Sequence, residues 1–134
     1  MIAADTSVLV PAIVANHEFH EACHESASLV DASVTHVLVE LYAVLTRLPQ
    51  PFTVSPAHAA AAVMSYADQP VAIPPGDIAA AIERFASDRI AGGRTYDALI
   101  AAAGASAGMT LLTRDHRAAE TYEHIGADVR WVAT

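Results

Sequence analysis

The chain has 134 residues, 54% of them hydrophobic and 16% charged, a balance that suits one folded domain over residues 1–134 and excludes a disordered segment. Fifteen acidic residues against seven basic ones, all Arg, leave a net charge of −8, so the basic footprint of an electrostatic nucleic-acid binder is missing. The single cysteine, Cys23, excludes an intrachain disulfide, and the N-terminus MIAADTSVLV lacks the cationic region of a signal peptide, which together predict a cytoplasmic protein.

In chain order, MIAA before Asp5 reads as a short buried strand and SVLVPAIV after it as a helix that Pro11 limits or kinks. Residues 18 to 30 form an amphipathic helix. SVT at 33 to 35 predicts a second strand leading into HVLVELYAVLTRL, where Val37, Leu38, Leu41, Leu45 and Leu48 recur at helical spacing until Pro49 and Pro51 stop it. Ser55 and Pro56 supply the cap and first residue of a helix over AHAAAAVMSYA. VAI at 71 to 73 is a short strand, and GDIAAAIERFASDRI an amphipathic helix. After Gly92 and Gly93 the helix YDALIAAAGASAG is expected to take Thr95 as its cap. MTLLT at 109 to 113 is the clearest buried strand, DHRAAETYEHIG a helix closed by Gly126, and DVRWVA the last strand. Strands separated by helices predict an α/β domain with a mainly parallel sheet covered on both faces. The longest uncharged stretch, Ala98 to Thr113, falls short of the ~20 residues of a membrane span, so no membrane partner is expected.

Within HEFHEACHE at 17 to 25, His20, Glu21 and His24 spell the H-E-x-x-H pattern of zinc hydrolases. The apolar stripe of this helix is Phe19, Ala22, Cys23, Ala27 and Val30, and His17, His20 and His24 fall about a third of a turn from its centre, toward water. A zinc hydrolase needs a third protein ligand and a dry cavity, for which nothing downstream offers a counterpart. The pattern therefore reads as a polar helix face, with a zinc-dependent hydrolase as the alternative enzyme.

Ligands of open α/β sheets bind outside the carboxyl ends of the strands. Asp5 ends the first strand there, and Asp115 follows MTLLT with one Arg between. Glu40 interrupts the apolar run VLVELYAVL, and Asp97 opens an apolar helix. Singly, each has a structural explanation as a cap, a dipole partner or half of an ion pair. Together they predict a pocket of mutually repelling carboxylates that share protons or a cation. Hard oxygen ligands suit Mg²⁺ or Mn²⁺, and such a site is built for phosphodiester hydrolysis.

The segments DTSVLV from Asp5, VELYAVLTRL around Glu40, YDALIAAAGASAG from Asp97 and GMTLLTRDHRA ending near Asp115 resemble, in order and spacing, the PIN-domain nucleases, and most closely the VapC-type toxins of bacterial toxin–antitoxin pairs. The resemblance covers nearly the whole chain. It implies a three-layer α/β/α fold around a parallel sheet, endoribonuclease activity, homodimerisation and inhibition by a cognate VapB-type antitoxin that inserts a segment near the metal site. By the same resemblance Asp5, Glu40, Asp97 and Asp115 form an acidic quartet binding one or two Mg²⁺ or Mn²⁺ ions. Thr113 matches the family's supporting hydroxyl residue, and Thr6 and Ser7 are expected to orient Asp5.

A chain at −8 repels RNA, which makes Arg94, Arg114, Arg117 and His116, all on segments flanking Asp97 and Asp115, the candidates for gripping phosphates. A structured or single-stranded RNA read locally suits this charge better than a long duplex. The Ala-rich helices at 56 to 67 and 78 to 90 are mostly core, with an exposed part suited to a partner helix. A PIN-like module without catalysis is the non-enzymatic alternative, against which the intact quartet argues.

Overall fold

The computed structural model describes residues 1–132; the end of the expected last strand, Ala133, lies outside the described residues. Strands β1 (Ile2–Ala4), β4 (Thr110–Thr113) and β5 (Asp128–Trp131) form a parallel sheet in the order β1-β4-β5. Strands β2 (Ser33–Val34) and β3 (Pro70–Val71) form a second parallel pair, tied to β1 where the Asp31 and Ala32 amides donate to the Ile2 carbonyl. The helices are α1 (Thr6–Ile13), α2 (His20–Ala27), α3 (Thr35–Arg47), α4 (Pro56–Met64), α5 (Ile78–Ser87), α6 (Arg94–Ser106) and α7 (His116–Ile125). They cover the sheet in the α/β/α arrangement.

The apolar periods of the sequence explain what is inside. Leu41 and Leu45 of α3, Leu9 of α1, Ile100 of α6 and Leu111 and Leu112 of β4 are all within 2% of full burial, each stabilising the fold by roughly 1.5–3 kcal/mol. Gly104 lets α6 approach the sheet closely, because a Cβ there would stand 3.4 Å from the Leu111 side chain. Gly126 closes α7 at φ +105°, in the left-handed region that favours glycine.

Several expected bounds change: the helix over 56 to 67 ends at Met64, that over GDIAAAIERFASDRI at Ser87, and Thr35 opens α3 rather than ending β2. The helix placed over 18 to 30 is shorter, His20–Ala27, because the His17 ring accepts from the Phe19 amide and fixes a turn before it, and the Ser28 hydroxyl bonds back to the Glu25 carbonyl at its end. Thr95 is not a cap: α6 already begins at Arg94 behind Gly92, whose φ of +61° turns the chain into it. VAI at 71 to 73 pairs only at Val71, since the strand starts at Pro70 and the chain soon meets Pro74 and Pro75, whose rings lack ladder donors.

Because the strands are parallel, β1 and β4 end at the same edge of the sheet, Ala4 beside Leu112. The Asp5 amide donates to the Leu112 carbonyl at 3.1 Å, so the first residue after β1 is fixed beside the last residues of β4.

Candidate active site

Asp5 leaves β1 and caps α1, and it is only 6% exposed. Its Oδ1 accepts from the Ser7 amide at 3.0 Å and from the Ser7 hydroxyl. Its Oδ2 accepts from the Thr113 hydroxyl at 2.6 Å and the Tyr122 hydroxyl at 2.9 Å. Burial raises the Asp5 carboxyl above the ordinary range, and these donors pull it part of the way back. Burial, then the charge of Asp5, keeps the Tyr122 hydroxyl protonated far beyond the usual phenol range, so it remains a donor.

Thr113, the fully buried last residue of β4, joins two acids with one hydroxyl. While it donates to Asp5 it accepts from the Asp115 amide at 3.1 Å. The Ser7 hydroxyl accepts from the Arg114 amide at 2.8 Å, lacing the two strand-end loops together. Asp115 caps α7, its Oδ1 accepting from the Arg117 and Ala118 amides at 2.9 and 3.3 Å.

Glu40 and Asp97 reach the site from helices. Glu40, on α3, accepts through Oε1 from the Thr6 hydroxyl at 2.9 Å, and its Oε2 lies 3.6 Å from His36 Nε2. Thr6 thus serves Glu40, whereas Ser7 serves Asp5. Asp97, in the first turn of α6, is half-buried, and its carboxyl is pushed up to about 6, first by burial and then by the charges of Asp115, Asp5 and Glu40, against a small opposing effect of Arg94. The other three acids of the expected quartet thus all act on Asp97.

Among the described residues, no group of three or more Asp, Glu, His or Cys side chains is gathered to hold a metal ion as it lies. Both oxygens of Asp5, one of Glu40 and one of Asp115 are already engaged by protein donors. The donor set nevertheless fits a hard divalent ion, because it consists of carboxylate oxygens and carries more negative charge than it holds comfortably.

The Asp97 shift has a consequence for stability. An acid whose folded-state pKa is raised binds its proton more tightly folded than unfolded, so its contribution to stability is lost as pH rises through the window from 3.8 to about 6. Without divalent ions, the melting temperature of the wild type is therefore expected to fall relative to that of Asp97→Asn over this range, and Mn²⁺ to restore it at pH 7. Parallel melting curves would contradict the convergence of the acids.

The basic candidates divide. Arg114 turns away from the acids: its guanidinium lies 4.0 Å over the Phe19 ring, and its Nη1 reaches the Ser7 carbonyl at 3.5 Å, which Pro11, having no N–H, leaves free inside α1. Arg94 donates from Nε to the Thr121 hydroxyl at 3.2 Å and lies close enough to lower Asp97. Arg117 and His116 are exposed beside Asp115. In the HEACH segment, His20 Nδ1 meets the Pro11 carbonyl at 2.8 Å, and the His20 and His24 rings stack on each other at 5.3 Å. That carbonyl lies at the end of α1, so His20 serves as its cap.

Sequence reasoning missed Tyr122 and His36. Tyr122 falls on the buried stripe of α7 with Ala118 and Ile125 and reads as core. The only available signal was general, that a buried Tyr hydroxyl requires a partner.

A family model described as PIN domain matches residues 2–124. Ribonuclease VapC40 of Mycobacterium tuberculosis, in the CDC 1551 / Oshkosh strain and in the ATCC 25618 / H37Rv strain, is 40% identical over 137 residues, covering 98% of this chain and 99% of the relative. Ribonuclease VapC27 of the H37Rv strain is 38% identical over 133 residues, covering 96% of this chain and 94% of its own.

Proposed function

The chain belongs to the PIN-domain family, and from that premise we propose that it is a single-domain, Mg²⁺- or Mn²⁺-dependent endoribonuclease, the toxin of a toxin–antitoxin pair. The likeness to two ribonucleases over nearly the whole chain supports the substrate class. The observation that carries the chemistry is the charge of Asp115, Asp5 and Glu40 bearing on Asp97, where helices α3 and α6 meet the carboxyl ends of β1 and β4.

In this reading Asp97, with the free oxygens of Asp115 and Glu40 and the buried charge of Asp5, holds the cation. Bound there, Mg²⁺ or Mn²⁺ supplies a water of lowered pKa and neutralises the scissile phosphate. Ser7, Thr113 and Tyr122 orient Asp5 and favour its charged form, and Thr6 orients Glu40. Arg94 and Arg117, with His116, lie where phosphates flanking the cut would pass; Arg114 supports the site through its packing on Phe19. A cognate VapB-type antitoxin, homodimerisation and a cytoplasmic setting belong to the same proposal; no helix of the described residues is long and apolar enough to cross a membrane.

The test is cleavage of RNA by purified protein, with divalent ions added and removed by chelation. Turnover restored by Mn²⁺ or Mg²⁺ is expected, and no turnover of any RNA with either ion would contradict it. In the same assay, replacing both His20 and His24 by Ala is expected to change cleavage within about twofold, since a surface change away from the site costs little. Stability is expected to fall by about 1 kcal/mol through loss of the bond to Pro11. Complete loss of cleavage in that variant, together with stoichiometric zinc in the wild type, would favour the zinc hydrolase instead.

A further inference from the structure

Two pairs of stacked rings border the acid network, each joined to a different acid. The His36 and Tyr96 rings lie 5.3 Å apart with planes within 5° of parallel. His36 reaches Glu40, and Tyr96 immediately precedes Asp97 on α6. The His116 and Trp131 rings lie closer, at 4.0 Å and 14°. His116 follows Asp115, and Trp131 is the register partner of Thr113. Large aromatic rings normally bury their faces, yet Tyr96 is 56% exposed and Trp131 42% exposed. Beside the second pair opens a groove of about 310 Å³ lined by His116, Ala119, Glu123, Val129 and Trp131, a volume within the range of small-ligand sites.

The charge of the chain gives these rings a purpose. At −8 the chain as a whole repels a phosphate backbone, and beside the acids Arg114 is held against Phe19, which leaves Arg94 and Arg117 as the nearby cations. Stacking of bases on aromatic rings does not depend on net charge, and it accepts any base because every base has a π face.

We propose that His36–Tyr96 and His116–Trp131 are base-stacking platforms that seat unpaired RNA nucleotides at two edges of the acidic cluster, the first at Glu40 and Asp97, the second at Asp115. The inference rests on the nuclease reading: unpaired nucleotides offer the base faces that a duplex keeps stacked internally. Tyr96 and Trp131 are then positioning residues for the strand that is cut.

Trp131 is the sole tryptophan, so its fluorescence reports on its own platform. A short single-stranded RNA of mixed sequence, mixed rapidly with wild-type protein and Mn²⁺, is expected to quench it before cleavage, and the same sequence as a duplex is not. Tyr96→Ala and Trp131→Ala are each expected to raise KM about five- to a hundredfold, with kcat and melting temperature changing far less, and Tyr96→Phe and Trp131→Phe to restore most of the loss. If the wild type cleaves this RNA while both Ala variants keep its KM, or if the Phe variants behave like the Ala variants, the platforms are overturned and the nuclease stands. If the wild type neither cleaves nor binds any RNA, the nuclease reading falls and the platforms with it.

Discussion

Asp5→Asn is expected to lower divalent-ion-dependent RNA cleavage by more than about a hundredfold, since even changes to residues that only support metal ligands commonly cost up to that much. The fold is expected to survive, and the reason lies in the hydrogen bonds around the carboxylate. Asn keeps an oxygen for the Ser7 amide, and the Thr113 and Tyr122 hydroxyls are free to rotate and accept from its NH₂ group. It also removes a charge whose burial is unfavourable, so the melting temperature should be unchanged or higher. Initial rates and thermal melts on the same preparation check both halves. Cleavage that survives undiminished would remove Asp5 from the chemistry.

Tyr122→Phe is expected to act through Asp5 with the opposite balance, harming stability as well as activity. The lost bond is made to a buried carboxyl, which sets the cost at about 1.5–3 kcal/mol wherever that carboxyl is charged. That hydrogen bond favours the charged form, so without it the Asp5 pKa rises further. Two pH effects follow. The acid limb of the cleavage profile, where the carboxylate is lost, moves to higher pH than in wild type. The destabilisation shrinks as pH falls and Asp5 takes up its proton in both proteins. Thr113→Val should cost more than Tyr122→Phe, since the Asp115 amide also loses its acceptor. A Tyr122→Phe protein with wild-type stability and pH profile would show that the phenol is packing alone.

The acids were legible in the sequence because their positions follow from elementary rules. Asp5 and Asp115 come directly after buried strands, and parallel strands end together. Glu40 and Asp97 stand out as charges set in apolar helices. Side-chain direction was not legible at this level. Arg114 is adjacent to Asp115 in sequence, yet it points to the other side, over Phe19 just before α2, while Asp115 turns to cap α7. Thr6 and Ser7 look equivalent beside Asp5, but α1 rotates them onto different acids. The Tyr122 bond joins residues 117 apart, a pairing no local pattern encodes. The HEACH segment matched a catalytic pattern although its first histidine caps a proline-containing helix.

The stacked rings escaped notice for a similar reason. His36, Tyr96, His116 and Trp131 sit on three helices and an edge strand, and only the assembled fold sets them in pairs beside Glu40, Asp97 and Asp115. The arrangement offers the chain an affinity for RNA that its net charge opposes.

In the proposed site, acids distant in the chain share one divalent ion. Crystals of the protein soaked in Mn²⁺, with anomalous scattering recorded at the manganese edge, test it most directly. A manganese peak among the carboxylates of Asp5, Glu40, Asp97 and Asp115 is expected. A manganese peak at His20 and His24, or none near Asp97 while the ion still supports cleavage in solution, would contradict it.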